Sequence, residues 1–367
     1  MNTGKRVYVV GAGITGCTIA RLIADKGIDV TILERSSYLG GACRDGFESF
    51  GYKQHHGSHI FHTDDFEVYK FLSRFTEWLP YTHKVLGSID GSLVPIPLNI
   101  TSMRQLLSNE DFKQLMNLDL EYNADYTLED FSHSGRELLR ALGDYIFSTV
   151  FELYSQKQWG KIPDKSVLSR VKAYRHSKDD RYFRQPYQGI PFNGFSEMLR
   201  KMVNHVAIDL EYDAKVTLEN LPKDATVFFT GPLDELFDYS LGELPYRTCE
   251  FSYKLCNGKT LPNAVVNYPT SFEMTRAHDY SYYMPDSAKA WVAYEYPKDF
   301  DRNNPKHHRY YPIKELANET LYEEYRRQLE DFNPNIIPAG RLGTYKYLDM
   351  DKAVRQAMDL VDEFLKK

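Results

Sequence analysis

Alternation of apolar and polar positions divides the chain into stretches of three kinds. A short apolar strand, Val7-Tyr8-Val9-Val10, runs directly into Gly11-Ala12-Gly13-Ile14-Thr15-Gly16 and then into a helical stretch from Cys17 to Gly27. A second strand, Asp29 to Leu33, ends on an acid, Glu34, 23 positions after the first glycine. Gly51 to Thr63 mixes glycines with histidines and reads as a loop. From Ser102 to about Tyr154 the period lengthens to that of a helix, most clearly where Leu138, Leu142, Tyr145, Ile146, Thr149, Val150 and Leu153 recur. Alternation returns at Val206–Leu210 and Val227–Gly231, strands expected to rejoin the first sheet. Between about Tyr246 and Tyr311, runs rich in Tyr, Phe and Val are broken by Asn-Gly, Pro and Asp, as in an antiparallel sheet. Lys352 to Lys367 closes the chain as an amphipathic helix.

Strand, glycine turn, helix, second strand and acid stand in the order a dinucleotide site requires. Gly11 permits the tight turn, Gly13 lets the backbone approach a pyrophosphate, and Gly16 lets helix and strand pack closely. The helix N-terminus then offers unpaired N–H groups to the phosphates, and Glu34 can accept hydrogen bonds from a ribose. The continuation Glu34-Arg35-Ser36-Ser37-Tyr38-Leu39-Gly40-Gly41 resembles that of FAD-binding proteins more than that of NAD dehydrogenases. No second dinucleotide fingerprint follows.

Composition narrows the class. With 45 basic and 51 acidic residues the net charge is −6, which gives no global attraction to nucleic acid or anionic membranes. No apolar run approaches the ~18 residues that span a bilayer. Cys17, Cys43, Cys249 and Cys256 lack metal-ligand spacing. The His55-His56 pair with His59 has no cysteine or acidic cluster to support a metal either. A soluble, cytoplasmic chain without structural disulfides is expected. Aromatic content is high, with 28 Tyr and 21 Phe, and suits stacking on flat rings.

Eight segments in order carry a family resemblance: GAGITG, HGSHIFHT from His56, QKQWG from Gln156, YQGIP from Tyr187, FTGPLDELFDY from Phe229, EYP from Glu295, RYYPI from Arg309 and GRLGTYKYLDM from Gly340. Together they resemble bacterial UDP-galactopyranose mutase over about residues 5 to 360. The resemblance implies an α/β fold: a discontinuous Rossmann-like FAD-binding domain, a helical insert domain and an antiparallel β-sheet domain. The expected division gives 1–90, 188–240 and 335–367 to the FAD-binding domain. Residues 91–165 form the helical insert with its mobile loop, and 166–187 and 241–334 form the sheet domain.

The implied activity is pyranose–furanose interconversion of a nucleotide-linked sugar, supplying furanose donors for surface glycans. Reduced FAD attacks the anomeric carbon through N5 and expels the nucleoside diphosphate, with no net oxidation. Arg175 and Arg276 match two diphosphate-binding arginines, where a guanidinium can pair phosphate bidentately and stabilise the charge of the leaving group. Tyr310 and Tyr347 match phosphate-touching tyrosines, and Tyr310 and Tyr311 are adjacent, so on a strand only one faces the site. Tyr154, with Phe151 one turn before it, matches a uracil-stacking aromatic, and Trp159 matches a residue of the closing loop. Tyr187, Asn267 and His83 complete the implied substrate set. His62 matches a histidine close to the flavin and joins the arginines as a catalytic candidate. His59 is a second flavin neighbour. Arg35, Arg341, Asp349 and Met350, where the final helix begins, complete the cofactor set. Without the resemblance, Arg175 pairs with a neighbour such as Asp179 or Asp180, and Arg341 and Asp349 pair with each other.

The pattern departs from the family where the sugar should be read. His83 lies in Thr82-His83-Lys84-Val85-Leu86, where the family has an asparagine, and Ala277 to Tyr283 replaces an IIEHKHF-like run. UDP-galactose, UDP-N-acetylgalactosamine and a dTDP-linked 6-deoxyhexose are therefore all candidate substrates. An external reductant such as NAD(P)H and a homodimer are the implied partners. An amine-oxidase-like flavoprotein and a catalytically silent sugar-nucleotide-binding protein are the competing readings.

Overall fold

Five parallel strands form the central sheet of the computed structural model, which describes residues 6–162, 171–284 and 289–366. In spatial order they are Ile208–Glu211, Val30–Leu33, Val7–Val10, Thr226–Phe229 and Ile336–Pro338. In the three inner strands the side chains alternate between two buried faces, as parallel strands covered on both sides must, while the edge strand Ile208–Glu211 exposes Asp209 and Glu211. Val7, Val9, Ile32 and Phe228 pack against the helices Ile14–Ala24, Phe195–Val203 and Met350–Lys366. Val10, Val227 and Phe229 pack against Tyr322, Tyr325 and Leu329 of the helix Leu316–Phe332. The strands expected around 206–210 and 227–231 do rejoin this sheet, so a Rossmann-like domain is assembled from three separated parts of the chain.

A second, mostly antiparallel sheet holds Tyr246–Asn257, Lys289–Asp299, Arg276–Asp279 and Val265–Asn267 in adjacent positions. Beyond them it continues through Val85–Ile89 and Ser92–Ile96. The stretch Gly51–Thr63, expected as a loop, instead contributes strands Gly51–Gln54 and Phe61–Thr63. These strands are too short to show a sequence period. They exist because Gly51–Gln54 pairs with Asp45–Glu48, and Phe61–Thr63 with Tyr187–Gly189.

Between Ile100 and Trp159 the insert is mostly helical, with a short strand Asp125–Thr127 that pairs with Lys172–Arg175, and Ser108 and Thr127 cap new helix starts by accepting from Asp111 N and Asp130 N. Leu142, Ile146 and Val150 face its core. Phe147–Glu152 is wound as a π-helix, whose extra residue per turn rotates the next helical turn about the axis. Leu153, in phase with the apolar face by sequence, is therefore 43% exposed, and Tyr154 takes the inward position. Tyr154 and Trp159 lie on the helix Leu153–Trp159 rather than beyond a helix end. The boundary expected between 165 and 166 lies outside the described residues. Among the described residues, no helix is long and apolar enough to cross a membrane.

Candidate active site

The glycine turn is shaped by two different demands. Gly11 has φ +101°, and a Cβ on Gly16 would overlap the Gly11 carbonyl oxygen, so both positions require glycine for the fold itself. Gly13 has φ −79°, and a Cβ there would meet no protein atom within 4 Å. The protein itself does not demand glycine at Gly13; a ligand backbone brought against the loop would. No side chain caps the helix that starts here, leaving its first N–H groups free to face phosphate. Glu34 accepts from Ala12 N at 2.7 Å and Ser36 N at 2.8 Å, which fixes its carboxylate at the end of the second strand. Gly40 N donates to Ala12 O at 2.9 Å, so the Gly40-Gly41 turn packs onto the same loop. Arg35 points away into a surface pair with Glu235 at 3.3 Å.

Across from this loop lies a second group of cofactor candidates. Arg341 does not pair with Asp349. Its Nη2 donates to Leu348 O at 2.7 Å and its Nη1 to Tyr310 O at 3.1 Å, and its guanidinium lies 4.9 Å from the Tyr347 ring centre. The carbonyl of Asp349 accepts from Ala353 N at 2.9 Å, at the start of the Met350 helix. His59 is held by Gln54, which donates to its carbonyl at 3.0 Å and accepts from its N–H at 2.7 Å. Burial, then the nearby Arg341, lowers the His59 pKa to about 4. The His62 ring stacks on Phe183 at 3.5 Å, and its Nδ1 is buried with no hydrogen-bond partner. Burial lowers the pKa of His62 as well.

A cavity of about 510 Å³ lies between the insert and the second sheet, and Phe151, Tyr154, Arg175, Asn267 and Arg276 all line it. Its size suits a nucleotide-sized ligand. Arg276 Nε donates to the Tyr154 hydroxyl at 2.7 Å, so the π-shifted helix and the sheet meet at this bond. Arg276 also lies opposite Glu295 in the strand register, with Nη1 3.8 Å from Oε1. His278, two residues along on the same face, places Nε2 2.9 Å from Glu295 Oε2. Arg175 is bound by its cross-strand neighbour Asp125, at 2.9 Å, and donates from Nη1 to Arg181 O at 2.8 Å. Asp125 thus takes the place expected for Asp179 or Asp180.

The other substrate candidates, Tyr310, Tyr347, Trp159, Tyr187 and His83, are not among the residues that line this cavity. Tyr310 bonds through its hydroxyl to His56 Nδ1 at 2.5 Å. It is Tyr311 that stacks on Tyr347, at 5.8 Å, and meets Trp159 at 5.9 Å. Tyr347 is 55% exposed and Trp159 41%. The ring of Tyr187 is stacked on Tyr69 at 4.6 Å. His83 is buried, with Phe183 stacked over it at 5.5 Å. Sequence reasoning passed over three residues of the cavity region. Arg184 lines the cavity with Nη2 buried and unpartnered, Asp125 orients Arg175, and Glu295 orients Arg276. Glu295 stood inside the quoted EYP segment; no local signal marked the other two.

The family described as UDP-galactopyranose mutase matches residues 149–347, and an NAD(P)-binding Rossmann-like domain matches residues 9–75. A probable UDP-galactopyranose mutase of Klebsiella pneumoniae is 32% identical across 98% of this chain and 95% of its own. A dTDP-fucopyranose mutase of Escherichia coli is 31% identical across 99% of each. The crystal structure of a reduced UDP-galactopyranose mutase superposes with a TM-score of 0.72 at 14% identity, over 99% of this chain and 96% of that one.

Proposed function

Because the chain belongs to the UDP-galactopyranose mutase family of isomerases, we propose that it interconverts the pyranose and furanose forms of a nucleotide-linked hexose on reduced FAD. The observation that carries the reading is the cavity in which Arg175 and Arg276 share one space with the aromatic pair Phe151 and Tyr154. An aromatic wall takes a pyrimidine base, and two oriented guanidiniums take a diphosphate.

Bound in its reduced form, FAD would supply the nucleophile for the anomeric carbon. The Gly11–Gly16 loop and the Ile14–Ala24 helix N-terminus would hold its pyrophosphate, and Glu34 its ribose. The N-terminus of the Met350–Lys366 helix, with Arg341 nearby, would favour negative charge on the flavin ring. The partnerless Nδ1 of His62 suits a flavin or sugar polar group.

The chain's own residues do the rest. Arg175 and Arg276 stabilise the charge that gathers on the departing diphosphate, and they hold that diphosphate in place for recapture. Asp125 and Glu295 orient the two guanidiniums. Tyr311 and Tyr347 add hydroxyl donors beside Arg341 without adding charge. His83 and Asn267, whose Oδ1 is buried and unpartnered, face the sugar. An external reductant such as NAD(P)H primes the flavin, the protein works as a homodimer, and the furanose product feeds surface glycans. The test is incubation of the dithionite-reduced protein with UDP-galactose, UDP-N-acetylgalactosamine and dTDP-fucose, with chromatographic separation of the products. Absence of a furanose product from every sugar, at full FAD occupancy, would reject the proposal.

A further inference from the structure

Arg184 differs from the other cations of the cavity wall. Lys172, Arg175 and Arg276 also line the cavity, and each meets a carboxylate. Lys172 and Arg175 both reach Asp125 at 2.9 Å, and Arg276 lies 3.8 Å from Glu295. Among the described residues Arg184 has no carboxylate partner. Its Nη1 donates to the Asn123 carbonyl at 2.9 Å, and its Nη2 is buried with no hydrogen-bond partner.

The frame that holds Arg175 also holds Arg184. Asn123 and Asp125 lie on one segment, Arg181 and Arg184 on another. Arg175 is gripped by Asp125 and, at 2.8 Å, by the Arg181 carbonyl, while Arg184 is gripped by the Asn123 carbonyl. Asn123 is itself fixed: its N–H donates to His176 O at 2.8 Å, and its side-chain oxygen accepts from the Ser177 hydroxyl at 2.7 Å. It sits at φ +70°, a left-handed turn that asparagine tolerates. His176 and Ser177 directly follow Arg175, so both guanidiniums are tied to the end of one strand.

Charge decides what the spare N–H can serve. A guanidinium has five donors and no acceptor, and a buried donor left unpaired is destabilising. A ligand hydroxyl or carbonyl would satisfy the donor but leave the cation without a counter-charge. An anionic oxygen does both. Asp125 is shared by Lys172 and Arg175, so that group keeps one positive charge, and Arg184 adds a second. The other carboxylate of the wall, Asp64, is exposed to solvent, which screens it. The excess matches the two negative charges of a sugar-linked diphosphate. We propose that Arg184 is a third ligand of that diphosphate, donating from Nη2 to a phosphate oxygen on the Arg175 side of the cavity. The assignment rests on the nucleotide-sugar reading of the cavity, and its test uses binding rather than turnover.

Isothermal titration of the oxidised, FAD-loaded protein compares wild type, Arg184→Met and Arg184→Lys. The probes are UDP with uridine and dTDP with thymidine, and FAD content and melting temperature are read on each preparation. Wild type should bind at least one of the diphosphates. Arg184→Met should weaken that diphosphate roughly tenfold to a hundredfold and leave its nucleoside unchanged. Arg184→Lys should recover only part of the loss, because a point charge keeps the attraction without the fixed fork. Equal losses for diphosphate and nucleoside would place Arg184 on the base and overturn the assignment. An unchanged diphosphate Kd in FAD-loaded Arg184→Met would overturn it and leave the reading of the cavity standing. Should Arg184→Met not load FAD, Arg184→Lys carries the test, and a wild-type Kd there overturns the assignment. Failure of wild type to bind either diphosphate would reject the nucleotide-sugar reading and the role of Arg184 with it.

Discussion

Replacing Glu295 with glutamine isolates what the buried carboxylate contributes. Burial alone would push its pKa up, but Arg276 and His278 bring it down from 4.5 to about 2. At 1.36 kcal/mol per unit, that depression is worth about 3 kcal/mol of folding stability. Because the folded-state pKa is the lower one, this stability is present in full above about pH 4.5 and is lost as pH falls towards 2. Glu295→Gln should therefore cost about 3 kcal/mol at neutral pH and flatten the acid limb of the stability curve below pH 4.5. Urea unfolding of the FAD-loaded proteins at neutral pH and across the acid range measures both. Arg276, left without its counter-ion, also loses its fixed geometry, so kcat/KM should fall by up to about a hundredfold. Adding Arg276→Met to the variant should cost less than the sum of the single losses, because the two residues share one interaction. Wild-type stability at neutral pH and a parallel acid limb in Glu295→Gln would refute the argument.

The same geometry sets further outcomes. The purified protein should be yellow, inactive while oxidised and active once reduced, with many turnovers per reducing equivalent counted by product chromatography. Gly16→Ala, whose new methyl would overlap the Gly11 carbonyl oxygen, should lose bound FAD in absorbance spectra of the purified protein. Arg175→Ala should retain FAD and lose about a hundredfold to a thousandfold in kcat, with little recovery in Arg175→Lys. Tyr311→Phe should raise KM for the nucleotide sugar more than Tyr310→Phe, because Tyr311 stacks beside Tyr347 while Tyr310 is spent on His56.

The parts of the fold that could be read in the sequence are those built from local demands. The strand Val7–Val10, the glycine turn and the first helix are neighbours in the chain, so their period and their glycines stand together in the sequence. The later strands Ile208–Glu211 and Thr226–Phe229 carried the same apolar signature and could be returned to the same sheet. The strands Gly51–Gln54 and Phe61–Thr63 could not be foreseen, because their partners lie elsewhere in the chain and each shows at most two residues per face. The π-helical turn at Phe147–Glu152 was equally hidden. A single inserted residue leaves the apolar spacing before it intact and displaces only the residues after it, which is why Leu153 read as core and lies exposed.

The candidate site divides along the same line. Arg175 and Arg276 could be picked out by family resemblance, but nothing local to either named its partner, since Asp125 and Glu295 become neighbours only through strand register. Pairing fixes more than proximity. Arg276 faces Glu295 across one strand pair, and the period of two puts His278 on the same carboxylate. One buried acid thus organises two side chains of different chemistry, a permanent cation turned to the cavity and an imidazole turned to Ser58. Substituting His278 by an apolar residue would leave the Arg276 pair in place while removing the link to Ser58. The Arg276 contact and the link to Ser58 are therefore separable by mutation, although both are anchored on Glu295.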